Sequence, residues 1–455
     1  MGTFEFLIGL TGVILVVGAV FAYHRTTDIL HVLLFLGPMF FYATVLDPWT
    51  VKPLLGRFFL EQSDVIFVLV LNLLGVAALV AGALHEPPLP RGNRHTRHRS
   101  LQDHERRQLR RVGAVLSVVA VAAYASGIVN SGGFVAAFSQ AKGGGQSESG
   151  YIGEAMNLGL VGAVMAALSQ YRRRWNGATF AVAALGLLPN LIQGTFGGRR
   201  GPLFLALACA LLTWIVTRPR RPSLWVVASA LACVLLSVVF IGSQRKHLYL
   251  GSEQAEVRWE EFFQTWQPEE LAAEGNNFLY ATGFVLATRH SGEYTWGRKL
   301  LVNLLVRPIP RQLWPTKYQD TGATWVTNEY PGLGHLTLDD WVDGVGWIPL
   351  AGSAGLSISD LFGEFGWGAI IAMYLIGRGF SWLRFLRSTR GGVWELVYLE
   401  ALTLSIYLAT QSFSAFYHRF LILAIPTIIF WKLLVKRPSQ GPVVRAIATA
   451  QLASR

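Results

Sequence analysis

The segment Gly197-Gly198-Arg199-Arg200-Gly201-Pro202 sets two guanidinium groups between glycines, just ahead of an apolar run. Proline suits the first turn of a helix. A helix N-terminus offers unsatisfied N–H groups and a partial positive charge to an anion. Glycines let a phosphate approach the backbone, and paired guanidinium groups can grip it bidentately. This spacing predicts a site for phosphate or diphosphate. The competing reading is a short turn whose arginines snorkel to lipid headgroups.

Three further segments carry cations of the same kind. Ser243-Gln-Arg245-Lys246-His247 follows the next apolar run, and its plain alternative is an interfacial anchor. Arg307-Pro-Ile-Pro-Arg311-Gln-Leu-Trp314-Pro-Thr-Lys317 combines extended, proline-fixed backbone with a flat indole and three cations expected to face outward. Trp and Arg are also common at membrane interfaces. Ser412-Phe-Ser-Ala-Phe-Tyr-His418-Arg419 opens the last apolar run. Arg419 there must reach an anion or the headgroups, and His418 could shuttle a proton or serve as a hydrogen-bonded structural residue.

Acid–base chemistry points to Asp360-Leu-Phe-Gly363-Glu364-Phe-Gly366-Trp-Gly368. Asp360 and Glu364 are four apart and share a helix face. At the end of an apolar run such a pair is costly unless it meets a cavity or a partner. The alternative is packing, with the glycines allowing close approach and a carboxylate paired to a nearby arginine. Asp339, Asp340 and Asp343 compete for the same role, with solvation in a loop as their plain reading. Walker A, G-x-S-x-G and H-E-x-x-H patterns are absent. Cys209 and Cys233 form no CxxC pair, so neither a metal nor a disulfide scaffold is expected. No cofactor is called for, and a chelator is expected to leave any rate unchanged.

The elements that position these residues are membrane spans. The chain has 455 residues, 52% hydrophobic and only 15% charged, against about 25% charged in soluble domains. Its net charge of +12 sits in short runs between long apolar stretches, so it marks topology and not nucleic-acid binding. No basic region precedes the first apolar run, which is expected to be retained as a span. At about 20 residues per span, the candidates are 4–22, 29–46, 64–84, 112–130, 151–170, 177–194, 202–217, 223–242, 361–380, 393–411 and 417–434. With about eleven spans, the basic runs in 91–111, Arg172–Arg174, Arg218 to Arg221, Arg384 to Arg390 and Lys436-Arg437 all fall on one face.

The positive-inside rule makes that face cytoplasmic, with the N-terminus outside and the C-terminus inside. The chain then divides into an N-terminal transmembrane bundle, 1–242, with a basic inner loop at 85–111 facing anionic lipid; a large, partly helical outer loop, 243–360; and C-terminal transmembrane hairpins with a tail, 361–455. A loop of that length is functional or disordered, and its content of Trp, Tyr, Phe and Pro argues for order. The phosphate-seeking cations all fall on the outer face, where short loops seldom carry them.

The order and sidedness of these motifs resemble the Wzy-type O-antigen polymerases, the oligosaccharide repeat-unit polymerases. The resemblance covers roughly 190–430. It rests on Gly-Gly-Arg199-Arg200-Gly-Pro, on Arg307-Pro-Ile-Pro-Arg311 with Trp314-Pro-Thr-Lys317, and on Gly363-Glu364-Phe365-Gly366 with Gly368. It implies an all-α, GT-C-like architecture in a bacterial inner membrane and a metal-independent glycosyl transfer at the periplasmic face. The donor would be an oligosaccharide on polyprenyl diphosphate, and the product an O-antigen, capsule or exopolysaccharide. Arg199, Arg200, Arg245, Arg307, Arg311, Lys317 and Arg419 would bind the diphosphate, with Glu364, Asp360 and His418 as catalytic candidates. A chain-length regulator and a flippase are the implied protein partners. The related O-antigen ligases share this layout. A transporter would carry ionisable groups midway through its spans or in broken helices, and the middles here are nearly free of charge.

Overall fold

A computed structural model describes residues 2–87, 103–139, 154–171, 173–218, 222–244, 259, 276–307, 309, 311–327, 332–349 and 354–435. Every regular element among them is helical. Nine helices are long and apolar enough to cross a membrane. They are α1 (Thr3–Thr26), α2 (Val32–Phe58), α3 (Gln62–Leu84), α4 (Asp103–Asn130), α6 (Gly177–Thr195), α7 (Arg200–Thr217), the stretch Ser357–Arg390 made of α11 (Ser357–Phe365) and α12 (Ala369–Arg390), α13 (Val393–Thr410) and α14 (Phe413–Leu434). The other two expected spans coincide with shorter apolar stretches. These are α5 (Leu158–Ser169) and, within α8 (Leu224–Ser243), Trp225–Ser237. In the 243–360 segment, α9 (Asn277–Ser291) and α10 (Leu338–Val345) are the longest helices described.

In lipid every backbone polar group must be satisfied internally, which leaves helices as the spanning form here. Association then depends on close packing at small residues. A Cβ on Gly82 would lie 2.1 Å from the Tyr374 carbonyl oxygen, and one on Gly377 2.2 Å from that of Leu79, so α3 and α12 touch backbone to backbone. Gly159 and Gly186 bring α5 and α6 together in the same way. On α1, Leu7, Ile8, Leu15 and Ala22 are buried while Val13, Val16, Val17, Val20 and Phe21 are exposed, the division expected of a helix with one lipid-facing side.

One end of the bundle is tied by an ion network. Arg384 pairs with Glu86 and with Asp28 at 3.7 Å, and Arg387 pairs with Asp28 at 3.3 Å and Glu395 at 3.1 Å. Arg106 donates to the Ser169 carbonyl at 2.9 Å. The Arg384–Arg387 network therefore gathers the ends of α1, α3 and α12 and the start of α13. Arg384 and Arg387, expected as loop charges, are almost buried and hold helices together. The expectation of charge-poor span middles has an exception at Glu400 of α13, which is buried and accepts a hydrogen bond from Thr427 at 2.6 Å.

Candidate functional site

At the opposite end, α13 stops at Thr410 and α14 begins at Phe413. Ser412 caps α14, its Oγ accepting from the Ala415 N–H at 3.0 Å. The break is fixed from the side by Asp360 of α11. Its Oδ2 accepts from both the N–H and the hydroxyl of Ser414, each at 3.0 Å. A carboxylate at a helix N-terminus is electrostatically favoured. The other oxygen, Oδ1, pairs with Lys299 Nζ at 2.5 Å. Burial pulls the Lys299 ammonium toward the neutral form. Asp360, by charge and hydrogen bond, with Glu364 beyond it, nevertheless holds its pKa above the ordinary lysine value. Where the packing alternative pairs a carboxylate with a nearby arginine, the partner of Asp360 is a lysine. A cavity of about 160 Å³ opens onto this pair, lined also by Tyr280, Phe284, Ser359, Gln411 and Ser412.

Glu364 lies one helical turn further on, fully buried. Its Oε2 accepts from the Thr295 hydroxyl at 2.7 Å and from the Gly297 N–H at 2.8 Å. The main chain of the 295–297 turn also bonds α11, with Trp296 N–H donating to the Glu364 carbonyl at 2.8 Å. Glu364 therefore shares a face with Asp360, as its spacing requires, yet it anchors a loop behind the cavity. Gly363 is required there, because a Cβ would meet the Phe284 ring at 2.7 Å and His335 at 3.0 Å. Asp340 is engaged elsewhere, closing a capping box with Thr337 at the start of α10.

A second cluster adjoins the first through α13. Arg419 pairs with Glu154 at 3.1 Å and stacks over the Tyr407 ring at 4.5 Å. Arg199 occupies the N-cap position of α7, within electrostatic reach of the same Tyr407 and of Tyr124. Two arginines more than 200 positions apart in sequence thus act electrostatically on one tyrosine. Gly201 sits against Tyr407 and Gln411, and a Cβ there would lie 3.5 Å and 3.7 Å from their side chains. Since Gln411 also lines the Asp360 cavity, the two clusters are neighbours.

Arg200 is exposed, and its charge reaches Tyr42 and Asp47 of α2. Asp47 is buried and tied to Asn276 at 2.6 Å and to the Phe278 N–H at 3.2 Å. His418 is buried within reach of the charges of Glu154, Arg307 and Arg419.

The remaining cations fare differently. Lys317, expected to face outward, is buried, and its ammonium donates to the carbonyls of Val306 at 3.1 Å, Arg307 at 3.0 Å and Ile309. It braces the 306–309 turn and is not placed to bind phosphate. Arg311 is exposed over the Tyr318 ring at 5.5 Å, and Arg307 is exposed beside α14. Arg245 lies outside the described residues, as do Lys246 and His247. Among the described residues, no group of three or more His, Cys, Asp or Glu side chains could hold a metal ion.

His335 reports on the packing behind the cavity. Its Nε2 donates to the Glu293 carbonyl at 2.8 Å, its ring meets Phe284 edge-on at 5.4 Å, and burial pushes its pKa down to about 4. An unfolded histidine titrates near 6.5, so between these values the unfolded chain binds the extra proton. The contribution of His335 to stability is complete above about pH 6.5 and declines as pH falls toward 4. Thermal unfolding across pH 4–7.5 is expected to show wild type losing ground to His335→Phe on acidification. Parallel curves would contradict this.

No family model, curated protein or solved structure matches this chain.

Proposed function

We propose that this multi-pass protein is a glycosyltransferase that joins oligosaccharide repeat units carried on polyprenyl diphosphate, at the outer face of a bacterial inner membrane. The reading rests on one observation above the others. Arg199 and Arg419, 220 positions apart in sequence, both bear electrostatically on Tyr407 beside a cavity that holds the Asp360–Lys299 pair.

In this reading the donor diphosphate lies against Arg199 and Arg419, with Arg200 and Arg307 at the rim. The sugar–phosphate C–O bond breaks, and the diphosphate leaves with the bonding electrons. Preorganised guanidinium groups stabilise the charge that develops on it. The acceptor hydroxyl enters the cavity, forms the new C–O bond, and passes its proton to Asp360. Glu364 positions the loop, and the break between α13 and α14 admits the substrate between helices. The N-terminus is outside, the C-terminus cytoplasmic, and the two shorter apolar helices complete eleven spans.

The test is gel analysis of lipid-linked glycans in a strain lacking the protein. Single repeat units on the carrier are expected to accumulate. Polymer retained on the carrier would instead indicate a ligase, and an unchanged profile would refute both.

A further inference from the structure

A second hollow lies outside the spans, behind the first. It encloses about 380 Å³ and is lined by Glu293, Tyr294, Trp296, Arg298, Trp325 and His335, within the size range of small-ligand sites, roughly 300–1,000 Å³. Its lining mixes indole and phenol rings with a carboxylate, a guanidinium and an imidazole. Such a surface can stack on the C–H face of a sugar ring while polar groups meet its hydroxyls.

Trp296 is the unusual residue here. It is 72% exposed, and its φ of 50° lies in the left-handed region that costs a non-glycine residue energy. A large ring held in strained backbone and turned to solvent needs a structural cause or a use. The backbone is over-determined by Glu364. The Trp296 N–H donates to the Glu364 carbonyl at 2.8 Å, and the flanking Thr295 hydroxyl and Gly297 N–H both donate to the Glu364 carboxylate. Those bonds explain how the turn is held, but not why tryptophan occupies it. The Tyr294 ring stands edge-on to Trp296 at 6.0 Å, and Arg298 covers the Trp325 ring at 5.4 Å.

We propose that this hollow is an oligosaccharide subsite in which Trp296 and Trp325 stack on pyranose rings. The proposal rests on the reading of the chain as a glycosyltransferase. The turn that lines the hollow also delivers Lys299, next to Arg298, to Asp360. A glycan seated on Trp296 therefore runs toward the cavity where its terminal hydroxyl would react. The hollow thus holds the acceptor chain and sets which glycans are extended.

The full-length protein in lipid nanodiscs is titrated with oligosaccharides released by mild acid from the producing cell's own surface polysaccharide. Geranylgeranyl diphosphate is titrated separately. Saturable glycan binding is expected, weakened about tenfold or more by Trp296→Ala and Trp325→Ala, as for loss of an aromatic contact of about 1.4 kcal/mol. Trp296→Phe should retain most of it. Trp296→Gly relieves the left-handed strain, so its thermal midpoint should hold or rise while glycan binding falls; that combination separates a binding role from a structural one. The diphosphate titration should be indifferent to the tryptophan changes. Glycans that bind the variants as well as wild type, or bind none of them, would overturn the subsite. Tryptophan-dependent glycan binding without any diphosphate binding would uphold the subsite and overturn the proposed function.

Discussion

Lys299→Met is expected to lower both stability and turnover, and by more than any other single change in the 243–360 segment. Asp360 is 4% exposed and its Oδ1 bonds to the lysine at 2.5 Å. Removing one partner of a buried pair strands the other charge, at a cost of about 3–5 kcal/mol. The Ser414 donors at 3.0 Å soften this but cannot supply a counter-charge. Because Asp360 also holds the start of α14, its displacement shifts Ser412 and the cavity wall. Turnover on purified lipid-linked repeat units should fall by roughly 100- to 1000-fold, the range for losing one preorganised electrostatic group. The double variant Lys299→Met with Asp360→Asn removes both charges, and should recover the thermal midpoint without recovering turnover. An unchanged midpoint for the single variant would deny the pair its structural weight. Recovery of turnover in the double variant would reduce the pair to scaffold.

The arginine pair at Tyr407 gives the second large effect. Arg199→Ala and Arg419→Ala should each remove about 2–4 kcal/mol of transition-state stabilisation, on the order of a 30- to 1000-fold slower reaction at about 1.4 kcal/mol per tenfold. Arg419 is paired with Glu154 at 3.1 Å, so its loss leaves a half-buried carboxylate uncompensated, and the midpoint should drop as well. Lysine at either position keeps charge but loses the planar fork, and should fall between alanine and wild type. Membrane abundance must be matched, since an interfacial anchor would lose abundance and not rate. Near-normal turnover by both alanine variants would remove the clamp from the mechanism.

Much of this arrangement was legible without coordinates. Long apolar runs fix helices and their approximate ends, because a backbone in lipid has no other partner for its N–H and C=O groups. The basic run from Arg384 marks helix ends that an ion network ties together. The glycine-flanked Arg199 and the four-residue spacing of Asp360 and Glu364 marked residues that the fold does bring to one end of the bundle. The two short apolar stretches, 158–169 and 225–237, show where length alone stops deciding.

What the sequence could not decide was partnership. Lys299 and Lys317 are both loop cations with aromatic neighbours, and nothing local distinguishes them. Tertiary packing sends one to Asp360 and folds the other back onto three carbonyls. Glu154 and Tyr407 lie in segments that local pattern reads as ordinary, yet they hold Arg419. Pairing across 61 to 265 residues depends on how helices dock, and a side chain's charge says only that it needs a partner. Composition and periodicity determine the spans and the demand for counter-ions. Only the packed bundle decides which charges become structure and which stay at the cavity.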